Sequence, residues 1–155
     1  MAKKLSDILK INDCPKLQNA TLVLAFSGWM DGGDVSTGTV ERLVKLLDAQ
    51  QVASIDPEPF YIYCSPGSME TAALFRPHIE IHDGLIDELK MPEATFYSHP
   101  EANLLLFIGK EPNLRWQTFG ECIFELVRKT GVRRILFVGS FGGAVPHTRQ
   151  PRMHI

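Results

Sequence analysis

Residues 22–47 read LVLAFSGWMDGGDVSTGTVERLVKLL, and the fold class is predicted from this segment. An apolar run at 22–26 passes into a glycine-rich loop at 27–33, and a helical pattern follows directly. The apolar residues of that pattern are Val35, Val40, Leu43, Val44 and Leu47. This order predicts a strand, a tight turn and a helix whose N-terminus lies over the end of the strand. In open α/β sheets, such junctions are where ligands and partners dock.

A second strand, helix and strand are predicted between residues 103 and 143. The runs LLLFI (104–108) and ILFV (135–138) are apolar without alternation, which is typical of strands covered by helices on both faces. The helix between them has one apolar face, formed by Phe119, Cys122, Ile123, Leu126 and Val127. Gly131 is expected to end it. Because short connections of this kind are almost always parallel and right-handed, we predict an α/β fold over residues 20–155: a three-layer α/β/α sandwich with a mostly parallel central sheet.

The ends and the middle of the chain are less regular. Residues 1–19 are polar and are expected to be an irregular segment with a short helix near 5–11. The elements expected in the middle are a strand at 60–64, a strand around Ile79 and Ile81 that ends at Asp83-Gly84, a brief helix at 85–90 and a short strand at 94–97. Residues 151–155, PRMHI, have the composition of the beginning of an element. We therefore expect the domain to be truncated at its C-terminal side.

Composition excludes several classes of protein. The chain has 155 residues and a formal net charge of -2, which gives no electrostatic reason to expect nucleic acid as a partner. No apolar run approaches the ~20 residues that span a bilayer, so no membrane partner is expected. Cys14, Cys64 and Cys122 are widely spaced and outside any CxxC pattern. They are interpreted as reduced thiols of a cytoplasmic protein, and not as a disulfide framework or a zinc site.

Three predicted strand ends carry glycine-containing loops: SGWMDGG (27–33, the first loop), GKEPN (109–113, the second loop) and GSFGG (139–143, the third loop). In a parallel sheet they would lie along one edge and form a crevice. The first loop matches neither GxxxxGK[ST] nor GxGxxG. Asp31 and Asp34 place negative charge where a phosphate would bind, so a self-capped helix N-terminus is preferred, with Asp34 or Ser36 as the N-cap.

The second loop brings basic residues close to a predicted helix N-terminus. Lys110, Arg115 and Trp116 could bind an anion or a carboxylate, including that of Asp31 or Glu111 from the same rim, or could form only a solvated salt bridge at the rim while the tryptophan packs on its own helix. The solvated salt bridge is preferred. The residues that we assign to a candidate binding surface or interface are Trp29, Asp31, Asp34, Lys110, Arg115, Trp116 and Phe141.

No catalytic, cofactor-binding or metal-binding residue is assigned. Ser140 lacks the GxSxG elbow of an esterase nucleophile. His78, Glu80 and His82 alternate with isoleucines, and on a strand residues four apart are separated by about 13 Å, too far to share one ion. The sequence therefore favours a protein that is not an enzyme and has no cofactor.

Four motifs in the same order resemble one known family: AFSGWMDGGDVSTGTVERL, RPHIEIHDGL, LLLFIGKEPNLRW and ILFVGSFGGAVPHTRQP. From about Leu22 to the last residue the chain is similar to the proteasome assembly chaperone 2 family, as the N-terminal part of a bacterial or archaeal type member. The resemblance implies a three-layer fold similar to that of purine nucleoside phosphorylases and assembly into homo-oligomers. Eukaryotic and archaeal members bind proteasome core subunits and assist assembly.

Three hypotheses follow for function. The first is a non-enzymatic, chaperone-like or scaffold protein that acts in protein complex assembly and self-associates through its loops, with proteasome core subunits or another protein as partner. The second is a protein or enzyme that binds a nucleoside- or carboxylate-type small molecule in a crevice formed by Trp29, Lys110, Arg115 and Trp116. The third places the function in a C-terminal half beyond residue 155.

Overall fold

The computed structural model describes residues 4–143 and 148–150. These residues form four helices: α1 (Leu5–Ile8), α2 (Val35–Leu47), α3 (Met69–Phe75) and α4 (Trp116–Thr130). The strands are β1 (Leu9–Ile11), β2 (Ala20–Ser27), β3 (Gln50–Ile55), β4 (His78–His82), β5 (Leu85–Lys90), β6 (Ala94–His99), β7 (Leu104–Lys110) and β8 (Val132–Val138). A short 3-10 turn, Gly32–Asp34, precedes α2. Residues 151–155, expected to begin a further element, lie outside the described residues.

The central sheet has six strands in the order β1-β3-β6-β7-β2-β8. Strand β2 pairs in parallel with both β7 and β8, whereas the pairs β1/β3, β3/β6 and β6/β7 are antiparallel. The α/β class is confirmed, but the expectation of a mostly parallel sheet is wrong. Strands β6 and β7 are joined by only four residues, 100–103, and so short a connection allows an antiparallel hairpin but no parallel crossover.

A helix packs against each face of the parallel half of the sheet. Leu22 and Leu24 of β2 belong to one buried cluster together with Phe119 of α4. Ala25 belongs to a separate cluster with Val40 of α2. Because successive side chains of a strand point to opposite faces, α4 and α2 lie on opposite sides of the sheet. This explains why β2 has no polar face. The expected likeness to the nucleoside phosphorylase fold stays a prediction.

Residues 60–64 form no strand, contrary to expectation. The backbone carbonyl of Phe60 accepts hydrogen bonds from the N–H groups of Asn113 and Leu114, at 2.9 and 3.0 Å. The Tyr61 hydroxyl donates to the carbonyl of Lys110 at 2.7 Å. Both side chains are buried. The apolar residues therefore pack beneath the segment that leads into α4, and their backbone does not pair in a sheet.

The expected helix at 85–90 is a strand. Asp83 and Gly84 have φ values of 51° and 79°, the left-handed conformation at both central positions of a tight hairpin turn. This turn folds β5 back on β4 as a separate two-stranded sheet. The strand expected around Ile79 and Ile81 is confirmed as β4, and the one at 94–97 is confirmed as part of β6.

The N-terminal segment is more ordered than expected. Within residues 4–19, α1 is followed by β1, which pairs antiparallel with β3 at the edge of the central sheet. The sequence did not indicate β3 as a strand, although Val52, Ala53 and Ile55 are buried. Across the described part of the chain, no helix combines the length and the apolarity needed to cross a bilayer.

The C-terminus of α4 yields a stability prediction. Gly131 is the C-cap at φ 77°, as expected, and a Cβ atom there would lie 2.5 Å from the backbone oxygen of Leu17. Gly131→Ala should therefore lower the free energy of unfolding by about 1–3 kcal/mol, measured by chemical denaturation.

Gly120→Ala is the matched control for that substitution. Gly120 lies inside α4, and nothing lies within 4 Å of an added Cβ. Because alanine loses less conformational entropy than glycine on folding, the free energy of unfolding of this variant should rise by about 0.5–1 kcal/mol. Equal effects of the two substitutions would contradict the described C-cap.

Candidate functional site

The first and third loops are joined by backbone hydrogen bonds. The Ser140 N–H donates to the carbonyl of Met30 at 2.7 Å, and the Gly32 N–H donates to the carbonyl of Ser140 at 3.2 Å. Asp31 and Ser140 form a parallel bridge beyond the strand ends. The backbone hydrogen bonding between β2 and β8 thus continues into the loops that follow these strands. It fixes the two loops relative to each other.

The second loop is attached to the first in a similar way. The Glu111 N–H donates to the carbonyl of Ser27 at 2.9 Å. The Trp29 N–H donates to Oε2 of Glu111 at 3.2 Å. The expectation that the three loops lie together at one edge of the sheet is confirmed, because each strand of the parallel trio delivers its loop to the same end.

Asp31 lies at the centre of these loops and is only 9% exposed. Its Oδ1 accepts hydrogen bonds from the N–H groups of Ser36 (2.7 Å) and Thr37 (3.1 Å), and its Oδ2 accepts from the Thr37 hydroxyl (2.6 Å). This carboxylate satisfies the first free N–H groups of α2 and complements the positive end of the helix dipole. The expected self-capped helix N-terminus is confirmed.

Asp34 is the N-cap residue, as predicted, with φ 54°, but its side chain accepts no capping hydrogen bond. The Ser36 hydroxyl instead donates to the carbonyl of Met30 at 2.7 Å. The capping carboxylate comes from Asp31, three residues before the N-cap, because the 3-10 turn carries the chain back over the helix end.

The environment of Asp31 also sets its ionisation. Burial alone would raise the pKa of this carboxyl, but the hydrogen bonds from Thr37 and Ser36 favour the charged form and hold the pKa below its ordinary value. A negative charge is therefore maintained at the N-terminus of α2, where an anionic ligand would require a free positive site.

Ser140 is used structurally. Its Oγ donates to the carbonyl of Gly32 at 3.2 Å and lies 3.0 Å from Oγ of Ser36.

Burial, together with the charge of Glu121, raises the pKa of the Cys122 thiol to about 11, so that this group is protonated at neutral pH. Neither side chain has the environment of an activated nucleophile.

Two aromatic side chains project from the fixed loops. Trp29 is 87% exposed and Phe141 is 75% exposed. Together with Met30 and Gly142 they line an open cavity of about 580 Å³. We call these four residues the loop surface. It combines large apolar side chains with a backbone that is held by hydrogen bonds.

The basic residues of the second loop do not line this cavity. Arg115 is the N-cap of α4 at φ 54°, and the exposed Trp116 ring lies 6.4 Å from that of Phe26. Among residues 4–143 and 148–150, no ion pair joins Lys110 or Arg115 to an acidic group, because Asp31 caps α2 and Glu111 accepts from Trp29. The expected ion pair is therefore not formed.

The structure thus brings together only part of the predicted set. Trp29, Asp31 and Phe141 share the edge formed by the first and third loops, and Asp34 lies exposed at the start of α2. Sequence reasoning missed Thr37, which donates to Asp31, and assigned Ser36 and Glu111 other roles than the ones by which they fix the loops. The signal for Ser36 and Thr37 was the presence of hydroxyl side chains five and six positions after Asp31.

The β4–β5 hairpin carries another group of polar side chains. Ligand atoms of Glu80, His82 and Asp87 all lie within 4.8 Å of one another. They meet because a register shift between Glu80 and Ile81 places an extra residue in β5. The three side chains are partly or fully exposed. Sequence spacing alone, which compared His78 with His82, did not indicate this group.

The Asp31 cap yields a pH-dependent prediction. Asp31→Asn keeps an acceptor but removes its charge, so it should lower the free energy of unfolding by about 1–2 kcal/mol at pH 7. Since the folded pKa is lowered, the stability that the charge contributes is present above the unfolded pKa, about 3.9, and is lost as the pH falls through the folded value. The difference from the parent chain should therefore shrink below about pH 4, measured by urea denaturation.

Asp34→Asn is the matched control, because it removes one charge at the exposed N-cap and retains a residue type that tolerates a positive φ. It should change the free energy of unfolding by less than about 0.5 kcal/mol. A larger loss for Asp34→Asn than for Asp31→Asn would contradict the assignment of Asp31 as the capping group.

Three solved structures are similar to this chain. A crystal structure of the proteasome-assembly chaperone homologue of Mycobacterium tuberculosis is 31% identical, with a TM-score of 0.69 over 83% of this chain and 52% of that chain. A PAC2 family protein from Streptomyces avermitilis is 24% identical, with a TM-score of 0.64 over 84% and 53%. A Mycobacterium tuberculosis protein of unknown function is 23% identical, with a TM-score of 0.75 over 97% and 52%.

The chain therefore spans about half the length of these structural relatives. No curated protein matches it significantly. The model of the PAC2 family matches residues 25–155, which include the three loops, the end of β2 and the whole of β7 and β8. This match confirms the resemblance seen in the four motifs: the chain belongs to the PAC2 family.

Proposed function

We propose that this chain is a non-enzymatic, chaperone-like assembly protein that binds a partner protein through its loop surface. The observation that carries the proposal is the nearly complete exposure of Trp29 and Phe141 on loops whose backbones are fixed by hydrogen bonds. Membership of the PAC2 family supports it, as does the 31% identical relative, which is described as a proteasome-assembly chaperone homologue.

The physical argument starts from the cost of exposing these side chains. Trp29 and Phe141 offer a large apolar area to water, and this area stabilises a complex only when a partner covers it. Tryptophan is enriched among the residues that contribute most to protein–protein binding. Because Ser140 and Glu111 already hold the loops, little backbone freedom is lost on binding.

The occupant that we propose is a proteasome core subunit awaiting assembly. Its support is the description of the Mycobacterium tuberculosis relative. A free subunit exposes apolar surface that its neighbours cover in the finished complex, and an aromatic surface such as Trp29 and Phe141 can shield it in the meantime.

The small-molecule hypothesis has less support. It requires Trp29, Lys110, Arg115 and Trp116 to line one crevice, but the cavity beside Trp29 contains none of the other three. The charged Asp31 also lies at the N-terminus of α2, where a phosphate or carboxylate ligand would be repelled. The proposal is therefore limited to a protein partner.

Two further expectations belong to this proposal. A cytoplasmic location is supported by the free thiols of Cys14, Cys64 and Cys122. A homo-oligomer formed through the loop surface would bury Trp29 against a second copy. Light scattering of the parent chain and of Trp29→Ala distinguishes the two uses of this surface, because only self-association predicts a loss of mass in the variant.

Replacement of the exposed aromatics tests the proposed function. Trp29→Ala and Phe141→Ala should each weaken binding to purified proteasome core subunits by about 30-fold, the effect of losing roughly 2 kcal/mol at an interface. Affinity is measured by biolayer interferometry with the immobilised chain. Since both side chains are exposed, the thermal unfolding of the variants should match that of the parent.

Met69→Ala is the matched control, because Met69 is 89% exposed but lies on α3, outside the loop surface. It should bind as the parent does. Absence of binding by the parent chain would overturn the proposed partner, and equal weakening by all three variants would overturn the proposed surface.

A further inference from the structure

The β4–β5 hairpin has two faces of opposite character. Because alternate residues of a strand point to the same side, Ile79 and Ile81 of β4 share one face, which is apolar. His78, Glu80 and His82 share the other face. This polar face of β4 therefore gathers imidazole and carboxylate groups, which are the common ligands of metal ions in proteins.

The hairpin as a whole is acidic. Residues 78–90 contain four acidic residues and one lysine. The lysine, Lys90, forms its ion pair with Glu88, at 2.8 Å between Nζ and Oε2. Negative charge on an exposed element attracts cations in general, but the selection of one ion requires ligand atoms at defined positions.

A β-bulge supplies a further ligand to the polar face. The register shift between Glu80 and Ile81 leaves Asp87 as an extra residue of β5. In a regular pairing Asp87 would lie opposite Ile81 and would point away from the polar face. The bulge instead brings its carboxylate beside Glu80 and His82, and ligand atoms of these three side chains lie within 4.8 Å of one another.

The spacing of the three ligand atoms is close to that of a metal centre. Zinc–ligand distances are about 2.0–2.2 Å, so two ligands of one ion are at most about 4.4 Å apart. His82 and Asp87 are exposed and Glu80 is partly exposed, so rotation of their side chains can close the remaining gap. The two paired strands meanwhile hold the backbone of all three residues in place.

The donor atoms determine the kind of ion. One imidazole and two carboxylates are ligands that Zn²⁺ takes in proteins, whereas Mg²⁺ and Ca²⁺ prefer oxygen ligands throughout. Three protein ligands leave a fourth position for water. Nε2 of His78 lies 3.1 Å from Oε1 of Glu80, and a hydrogen bond of this kind orients a ligating carboxylate.

We propose that Glu80, His82 and Asp87 form a zinc-binding site on the polar face of the β4–β5 hairpin, with water as the remaining ligand. The ion joins β4 to β5 at the bulge. Because a two-stranded sheet has only marginal stability by itself, an ion bound to both strands should hold them together. The inference concerns the hairpin and is independent of the loop surface.

The test is a calorimetric titration of the metal-free 155-residue chain with ZnCl₂. Because the exposed thiols of Cys14 and Cys64 can also bind zinc, the parent for this experiment carries Cys14→Ser and Cys64→Ser. We expect one ion per chain at the tightest site. Hydrogen–deuterium exchange at residues 78–90 should become at least about threefold slower when zinc is present.

His82→Asn and Asp87→Asn should each weaken zinc binding at least about tenfold and abolish the slower exchange. Since both side chains are exposed, these variants should keep the parent's thermal unfolding in the absence of zinc. Glu88→Gln is the matched control, because it removes one charge from the same strand but lies outside the proposed ligand set. It should weaken zinc binding by less than about threefold.

Equal zinc affinity of the parent, His82→Asn and Asp87→Asn would overturn the proposal, since the ion would then be adventitious or held elsewhere. Unchanged exchange at residues 78–90 would overturn it as well. Tighter binding of Mg²⁺ or Ca²⁺ than of Zn²⁺ would contradict the assigned ion. Trp29→Ala should bind zinc as the parent does, so that failure of this inference and failure of the proposed function are distinguishable.

Discussion

The hydrogen bonds of the Asp31 carboxylate are the interaction on which the loop region depends. One buried side chain accepts from two backbone N–H groups and one hydroxyl at the start of α2. Its backbone also forms a bridge to Ser140 after β8. The helix on one face of the sheet and the loop after the edge strand are thus positioned by the same residue. Loss of this charge would weaken the cap of α2, whereas the backbone bridge to Ser140 does not depend on the charge.

These hydrogen bonds explain why the side chains of Trp29 and Phe141 stay exposed and do not pack into the core. Trp29 lies two residues before Asp31, and its N–H is held by Glu111. Phe141 follows Ser140 directly. Both therefore project from backbone that is already fixed, and they cannot fold back into the core without breaking these hydrogen bonds. This geometry is the basis of the proposed protein-binding surface.

The sequence predicts local units well and long-range pairings poorly. The strand–loop–helix at 22–47 and the Gly131 cap follow from spacing and turn chemistry within one segment. β3 was missed because its glutamines hide a short apolar pattern, and its partners β1 and β6 are distant in sequence. Residues 60–64 have strand-like composition, but they form no strand because Phe60 and Tyr61 are buried by packing outside the sheet. At the site, two aspartates are visible in the sequence, but only the backbone path shows that the carboxylate of Asp31, and not that of the N-cap residue Asp34, caps the helix.

A hydrogen-exchange footprint of the chain bound to proteasome core subunits tests whether the loop surface is the binding surface. The alternative binding surface is the exposed apolar surface of the β4–β5 hairpin, which includes Ile81 and Ile86. Binding at the loop surface should slow exchange at residues 28–33 and 139–143 and leave residues 78–90 unchanged. Protection of the hairpin with unchanged exchange in both loops would contradict it.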